Sequence, residues 1–314
     1  MRFLCATALF LPSLAPAQDP TPTSEERFVR GAFGVDFTNQ YFFRGLQQEN
    51  QGLIAQPWLE LGYDLYDGEP GDGLHDLGLT FGLWNSLHEG PTGSGGGVRN
   101  GRDQGIWYES DFYVDLRAGL GERLELSTRY TAYHSPNGFF NPPSNNPQVP
   151  NPDGRRGFRT TVEELSFALA YDDEGLLPDV VRGGFQPHVL LAFELDGQRD
   201  NGNQVGSYLE VGVTPTFPLD EENGKGMTLS VPTRLGFSLS DYYEDATNGG
   251  RDEAFGFLSV GAAFATPLQF LPHRVGPWHA EVAVHWLVLG DNLEERNDGD
   301  SSELYLTAGL STRF

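Results

Sequence analysis

A serine follows a histidine at His134-Ser135, and an amide side chain comes two residues later at Asn137. A histidine within hydrogen-bond reach of a serine can take its proton, and the hydroxyl can then attack an ester, as in outer-membrane lipid hydrolases. Consecutive residues of a β-strand point to opposite faces, however, so these two side chains would not meet. Pro136 also indicates that a strand ends in a loop here. We therefore predict no catalytic residue and keep lipid hydrolysis as a minor alternative.

Oxygen-bearing side chains crowd one segment near the C-terminus. They are Asp291, Asn292, Glu294, Glu295, Asn297, Asp298 and Asp300. Such oxygens suit Ca²⁺, but their spacing is not that of a dedicated calcium loop. His279 and His285 are six positions apart, about 20 Å along a strand, and cannot share one metal. We predict a solvated external loop and neither a metal nor a cofactor, and leave open whether the loop bridges cations to lipid head groups.

Charged side chains recur at alternate positions along the chain, opposite apolar ones. If the apolar faces meet lipid, the charged residues line the lumen of a barrel. The predicted lumen residues are Arg30, Asp36, Glu60, Asp64, Glu109, Asp111, Asp115, Arg117, Glu125, Arg129, Glu164, Glu194, Glu210, Arg234, His279, Glu281, Glu303 and Arg313. Carboxylates outnumber arginines in this set, and such an excess around a narrow wet passage attracts cations and repels anions. The alternative is a lattice of ion pairs that plugs the lumen.

These side chains require β-strands to position them. From Phe28 onward apolar residues recur with a period of two, between clusters of Gly, Asn, Asp and Pro, which indicates consecutive antiparallel strands. Twelve strands are predicted, over residues 28–43, 53–66, 74–86, 106–118, 122–134, 160–171, 184–196, 205–217, 227–240, 253–265, 278–290 and 302–314. An even number returns both chain ends to one side, as closed bacterial barrels require. No amphipathic helix is predicted.

Three features favour a membrane barrel over a soluble one. Many predicted strands have 11 or more residues, longer than the roughly 5–6 of soluble sheets and matching the roughly 9–11 that cross a bilayer. Aromatic side chains near strand ends would form interfacial girdles. These are Tyr41, Phe42, Phe43, Tyr63, Tyr66, Trp278 and Trp286. The last strand ends in Phe314 and resembles the terminal strand of outer-membrane proteins, whose final aromatic is an assembly signal.

Charge and composition exclude other classes of protein. Of 314 residues, 44 are acidic and 20 are basic, which gives a net charge of −24 and opposes binding to nucleic acid. Hydrophobic residues make up only 38%. No stretch after the N-terminal leader approaches the roughly 20 consecutive apolar residues of a membrane-spanning helix.

The N-terminus predicts export. Residues 1–17 combine a basic start, an apolar core and the small residues Ala15-Pro16-Ala17, which is typical of a cleaved signal peptide. The single cysteine, Cys5, lies in this leader. Residues 18–27 are predicted as a flexible periplasmic segment, and residues 28–314 as one outer-membrane β-barrel.

Two short regions carry a family resemblance. Tyr41-Phe42-Phe43-Arg44-Gly45, followed by a polar loop and the strand 57–63, resembles the opening of the TorF family of porins. The segment 130–136, with Glu163-Glu164-Leu165 downstream, is similar to that family's aromatic-proline segment and its following acidic strand. The resemblance implies a barrel of this strand order and a role in pore formation.

The sequence therefore predicts an all-β protein: a single transmembrane antiparallel barrel of about twelve strands in the bacterial outer membrane. Its predicted function is passive diffusion of small hydrophilic solutes, with a weak preference for cations. The competing hypothesis is a closed barrel whose external loops at 87–105 and 135–159 bind a partner or maintain the envelope. The predicted partners are outer-membrane lipid, the solutes, and the barrel-assembly machinery through the C-terminal strand.

Overall fold

A computed structural model gives the fold of the chain. The structure describes residues 29–69, 71, 73–89, 105–139, 156–177, 179–198, 204–219, 226–245, 250–272 and 276–314. The predicted signal peptide, the segment 18–27 and most of the loops predicted at 87–105 and 135–159 lie outside these residues. Within the described part of the chain, no helix combines the length and the apolar character needed to cross a membrane.

The described residues are almost entirely β-structure. The elements are β1 (Val29–Thr38), β2 (Tyr41–Phe43), β3 (Leu46–Glu49), β4 (Ile54–Asp67), β5 (Leu74–His88), β6 (Trp107–Leu120), β7 (Leu124–Phe139), β8 (Arg156–Tyr171), β9 (His188–Asp196), β10 (Ser207–Val213), β11 (Thr216–Pro218), β12 (Thr228–Ser230), β13 (Thr233–Ser240), β14 (Glu244–Asp245), β15 (Arg251–Asp252), β16 (Phe255–Pro267), β17 (Trp278–Leu289), α1 (Asp291–Arg296) and β18 (Ser302–Arg313).

The wall of the molecule is a closed antiparallel barrel. Successive long strands pair in order along the chain, and β1 also pairs with β18, which closes the sheet on itself. Two wall strands are interrupted at proline: β10 continues as β11 after Pro215, and β12 continues as β13 after Pro232. Proline has no N–H for the ladder, so it divides a strand without changing its course. Counted as continuous strands, the wall has the twelve strands that the sequence predicts.

The outer surface of the wall is apolar. Large hydrophobic side chains that alternate along the strands are exposed, among them Phe33, Leu59, Phe81, Phe112, Val114, Leu116, Phe167, Val211, Val282 and Leu306. The intervening side chains are mostly polar or charged, and many of them are buried. A soluble barrel would have the opposite arrangement, whereas a continuous apolar outer belt is what a membrane barrel requires.

The barrel closes between its first and last strands. The main chains of Gly31 and Phe314 exchange two hydrogen bonds, each 2.9 Å long. On the outside of this seam, the ring of Phe33 packs edge-on against Trp278 at 5.3 Å and near Phe314 at 6.3 Å. Since the number of wall strands is even, this end of the barrel holds both the start of β1 and the end of β18, and we refer to it as the terminal end. The opposite end is the mouth.

Two features of the mouth differ from the sequence predictions. The first strand ends at Thr38 and not at residue 43, and the chain then turns inward. Tyr41, Phe42 and Phe43 are therefore buried inside the barrel, so their assignment to a membrane girdle was wrong. The acidic segment predicted as a loop contains the short helix α1, whose Leu293 is fully buried.

Candidate functional site

A hairpin formed by β2 and β3 occupies the inside of the barrel mouth. Its two-residue turn is Arg44-Gly45, and both residues have positive φ, +48° and +84°. Positive φ at both central positions is the signature of the type I′ turn that suits tight hairpins. Glycine adopts this conformation without strain, but Arg44 does so at a cost of about 1 kcal/mol. The chain thus accepts strain to put an arginine at the hairpin tip.

The hairpin is held inside the barrel by aromatic contacts on both of its sides. Phe42 is only 1% exposed and packs on Tyr305 of β18, with ring centroids 5.3 Å apart. Phe43 packs edge-on against Tyr133 of β7 at 5.5 Å. These rings belong to strands far apart around the wall, so the hairpin spans the lumen between them.

The guanidinium of Arg44 lies in a cage of acidic and aromatic side chains. It donates two hydrogen bonds to the carboxylate of Glu164, of 2.7 and 2.8 Å, and a third, of 2.7 Å, to the hydroxyl of Tyr242. Its central carbon lies 4.3 Å from the ring centroid of Tyr208. Tyr133 completes the surroundings, with its hydroxyl 3.5 Å from Glu164. A fork-to-fork ion pair combined with a cation–π contact is a strong arrangement for a guanidinium.

Burial and charge fix the protonation of this cage. Burial alone would lower the pKa of Arg44, but the adjacent Glu164 carboxylate outweighs it, and the pKa lies well above its usual value. Burial raises the pKa of the Tyr242 and Tyr243 hydroxyls. Arg44 therefore stays charged and both tyrosines stay neutral near neutral pH.

A second set of contacts covers the hairpin tip. The hydroxyl of Tyr243 donates to the main-chain carbonyl of Arg44 at 2.9 Å. Asn297, which follows α1, donates to the carbonyl of Gly45 at 2.8 Å and accepts from the N–H of Gln47 at 2.9 Å. Two segments near the C-terminal part of the chain therefore bind the main chain of the hairpin.

The end of the hairpin opposite its turn contacts β5 and β6. Tyr41 donates to Glu109 at 2.9 Å, and a carboxylate oxygen of Glu49 lies 3.6 Å from Nδ1 of His88. On its other side, the His88 ring nitrogen Nε2 is 2.8 Å from the Ser86 hydroxyl. Serine, histidine and carboxylate follow one another here in the order that serine hydrolases use. Ser86 is fully buried, however, and the 3.6 Å between Glu49 and His88 is longer than a hydrogen bond.

Below the hairpin, ion pairs cover the inner wall. Arg129 bonds Asp115 at 3.1 Å and lies 4.3 Å from the ring centroid of Tyr113. Near the terminal end, Arg117 pairs with Asp76 at 2.9 Å. On the other side of the lumen, Glu210 accepts from the Tyr208 hydroxyl at 2.7 Å and has Arg234 and His188 within 4 Å.

Two ion pairs inside the barrel differ in their exposure to solvent. The side chains of Arg44 and Glu164 are 3% and 4% exposed, whereas those of Arg30 and Asp64, paired at 2.5 Å near the terminal end, are 29% and 24% exposed. The charged groups at the hairpin tip are therefore shielded from solvent more completely than this pair near the terminal end.

The residues predicted to line the lumen differ in their exposure. Buried members are Asp36, Glu109, Asp111, Asp115, Arg129, Glu164, Glu194, Glu210 and Glu281. Partly buried members are Arg30, Glu60, Asp64, Arg117, Glu125, Arg234, His279 and Glu303. Arg313, at the end of β18, is exposed. Several form the ion pairs described above, and Glu164 binds the hairpin tip.

Sequence reasoning missed the residues that close the mouth. Arg44 was not considered as a charged group inside the lumen, and Tyr208, Tyr242 and Tyr243 were not singled out. An arginine followed by glycine after three aromatic residues is a turn signal that could have indicated a hairpin. His134, the histidine of the weighed His134-Ser135 pair, packs against Phe112 and Phe158 at ring distances of 5.3 and 4.7 Å.

The acidic segment does not assemble a metal site in the described structure. Among the described residues, no three His, Cys, Asp or Glu side chains come close enough together to hold an ion. Asn297 instead bonds the hairpin, and Arg296 donates to the carbonyl of Glu244. This segment therefore acts as a cover over the hairpin.

The chain resembles solved barrels in architecture only. No protein-family model and no curated protein matches it. An outer-membrane channel from Pseudomonas putida F1 is 11% identical, covering 95% of this chain and 100% of that one, with a TM-score of 0.45. The transport unit of the autotransporter AIDA-I from Escherichia coli is 10% identical, covering 93% and 92%, with a TM-score of 0.42. Escherichia coli outer membrane phospholipase A is 12% identical, covering 90% and 92%, with a TM-score of 0.38. These barrels have different activities, and the likeness assigns none of those activities to this chain.

Proposed function

We propose that the protein is a channel of the bacterial outer membrane for small hydrophilic solutes, and that its β2–β3 hairpin is the gate. The observation that carries this proposal is the pairing of the hairpin. Among the described residues, β2 and β3 form a ladder only with each other, while the wall strands form a separate closed sheet. The hairpin can therefore leave the mouth without breaking the main-chain ladder of the wall, although its side-chain bonds to the wall must be exchanged.

The composition of the inner wall supports an interior that is hydrated when the gate opens. Burying ion pairs in a dry interior costs about as much as their attraction returns, and apolar side chains would fill such a space better. Arg129–Asp115 and Arg117–Asp76 instead cover the wall below the hairpin. Carboxylates are in excess over arginines there, so the proposed channel prefers cations.

The same proposal places the chain in the outer membrane after export by its leader. The apolar outer belt would contact lipid, and the mouth would face outward if the start of β1 and the end of β18 lie on the periplasmic side, as in other bacterial barrels with an even number of strands. Phe314 is proposed as the residue that the assembly machinery reads, and TorF porins as the family. The exposed ring of Phe314, at 58% exposure, supports a role outside the barrel core.

Conductance in planar bilayers tests the proposal. The wild-type protein is compared with a variant in which residues 41–49 are replaced by a Gly/Ser linker of equal length, and folding of both is checked by heat-modifiable gel migration. We expect rare openings for the wild type, and frequent cation-selective steps for the variant. A folded variant that stays silent would contradict the channel and favour a closed barrel that acts through its external loops.

A second candidate, ester hydrolysis, rests on the Ser86–His88–Glu49 order of groups. Attack on an ester would need Ser86 to become accessible. A fluorophosphonate probe tests this directly, with Ser86→Ala as the matched control. Labelling of the wild type that disappears in the Ser86→Ala variant would favour hydrolysis, and equal labelling of both would exclude it.

A further inference from the structure

We propose that the cage around Arg44 is a binding site for solutes that carry a guanidinium group, and that such a solute releases the hairpin by taking the place of Arg44. The arginine at the hairpin tip is then an internal ligand. Binding stands independently of the proposed channel, whereas the release step rests on the proposed function and names the class of solute that opens it.

The cage is built mostly by the wall and not by the hairpin. Glu164 lies on β8, Tyr208 on β10, Tyr133 on β7 and Tyr242 on the segment after β13. Only Phe43, whose ring centroid is 5.0 Å from the Arg44 guanidinium carbon, comes from the hairpin itself. Most of the site therefore persists when the hairpin leaves.

Removing Arg44 would leave the Glu164 carboxylate buried without a positive charge beside it. Glu164 is 3% exposed, and Tyr208 is fully buried. A carboxylate in such surroundings is costly to leave uncompensated, because its attraction to water is lost and no charge replaces it. A cation that enters the vacated cage relieves this cost.

The geometry selects a guanidinium over a simple ammonium or a metal ion. Two nitrogens of Arg44 meet the two oxygens of Glu164, and a planar face lies over Tyr208 at 4.3 Å. A guanidinium supplies both the fork and the flat face, whereas an ammonium is a compact point charge that supplies neither. Free arginine, agmatine and methylguanidinium share the required group.

Two features make Arg44 a displaceable occupant. It has a φ of +48°, a strained conformation for a residue other than glycine that a free ligand does not have to pay for. The hairpin that carries it also shares no ladder with the wall in the described structure. A guanidinium from solution can thus make the same contacts without this backbone strain, and the hairpin that it displaces loses no ladder with the wall.

Chemical rescue of Arg44→Ala tests the site without measuring conductance. Thermal stability is followed by heat-modifiable gel migration, with methylguanidinium added at millimolar concentration and KCl and urea as matched controls. We expect a saturable rise in the melting temperature that KCl and urea do not give. In the double variant Arg44→Ala/Glu164→Gln, methylguanidinium should bind at least about tenfold more weakly, because the charge-assisted hydrogen bonds are lost. Equal responses of the two variants, or none from folded Arg44→Ala, would overturn the site.

A cysteine reporter tests displacement in a protein that keeps Arg44. Gln48 lies on the hairpin, where its side chain accepts a 3.0 Å hydrogen bond from Tyr108, and the only native cysteine is Cys5. The Gln48→Cys variant of the leader-free chain therefore has a single thiol. We expect methylguanidinium to speed its reaction with a maleimide several-fold, and KCl to leave the rate unchanged. An unchanged rate with methylguanidinium would refute displacement, even if Arg44→Ala fails to fold. If methylguanidinium stabilises Arg44→Ala but the linker variant does not conduct, the binding site is retained and the channel is rejected. If the linker variant conducts but methylguanidinium does not stabilise Arg44→Ala, the channel is retained and the binding site is rejected.

Discussion

Asn297 binds the turn of the hairpin and its second strand at once: its amide donates to the carbonyl of Gly45, and its oxygen accepts from the N–H of Gln47 on β3. All three groups are inside the mouth, where water cannot readily replace a lost partner. The segment that contains α1 and the hairpin therefore form one hydrogen-bonded unit, and weakening the first should loosen the second.

Replacing Asn297 with alanine should loosen the gate. Two main-chain groups of the hairpin would lose their partners, at a cost of about 1–3 kcal/mol each. We expect faster maleimide labelling of the Gln48→Cys reporter and a lower melting temperature. Asn85→Ala is the control, because Asn85 bonds Trp107 away from the hairpin. Similar labelling rates in both variants would show that Asn297 does not hold the hairpin.

Gly45 tests whether the turn needs space as well as a positive φ. A methyl group there would lie 2.6 Å from Leu293 of α1. Gly121→Ala is a matched control, since Gly121 has a φ of +63° but has nothing within 4 Å of a Cβ. The conformational strain alone costs about 1 kcal/mol in either variant. We expect Gly45→Ala to lower the melting temperature further and to speed labelling at Gln48→Cys. Equal losses of stability would mean that α1 gives way at no cost.

Arg129 should affect selectivity and not gating. It pairs with Asp115 below the hairpin and contacts none of the cage residues in the bonds described above. In the linker variant, Arg129→Gln should shift the reversal potential toward stronger cation preference, because one positive charge leaves the wall. The frequency of openings of the protein with an intact hairpin should not change. An unchanged reversal potential would place the ion path away from Asp115.

Replacing Phe314 with alanine should impair assembly of the barrel in cells much more than its thermal stability. Its two hydrogen bonds to Gly31 are made by the main chain and survive Phe314→Ala, and its ring is largely exposed. We therefore expect the purified, folded variant to melt within a few degrees of the wild type, while the amount of folded barrel in cells falls several-fold. A large loss of stability in vitro would show instead that the ring contributes to packing at the seam.

The wall could be predicted from the sequence because the residue period records it. Alternation of apolar and polar residues marks each strand. The length of the strands indicates a membrane barrel, and in such a barrel the apolar side of each strand faces lipid. The hairpin could not be found in this way. Tyr41, Phe42 and Phe43 continue a strand-like pattern, and the turn signal at Arg44-Gly45 does not tell whether the hairpin extends the wall or lies inside the lumen.

The cage was beyond sequence reasoning for a different reason. Its members come from β7, β8, β10, the hairpin and the segment after β13, and their meeting depends on the register and curvature of the whole barrel. Charge excess in the lumen was predictable as an average. The choice of Glu164 as partner of Arg44 was not, since several other carboxylates of the inner wall occur at similar strand positions.

The contacts of the hairpin also set an order of events during folding. Arg44 reaches Glu164 across 120 residues and Tyr242 across 198, and Gly45 reaches Asn297 across 252. Contacts so distant along the chain form late, because the entropy of closing each large loop must be met first. The hairpin is synthesised near the beginning but can lock only when the rest of the barrel has been built. The hairpin therefore occupies the mouth only in a fully assembled barrel. In a barrel that fails to close between β1 and β18, the hairpin would lack these contacts and would not be held in the mouth.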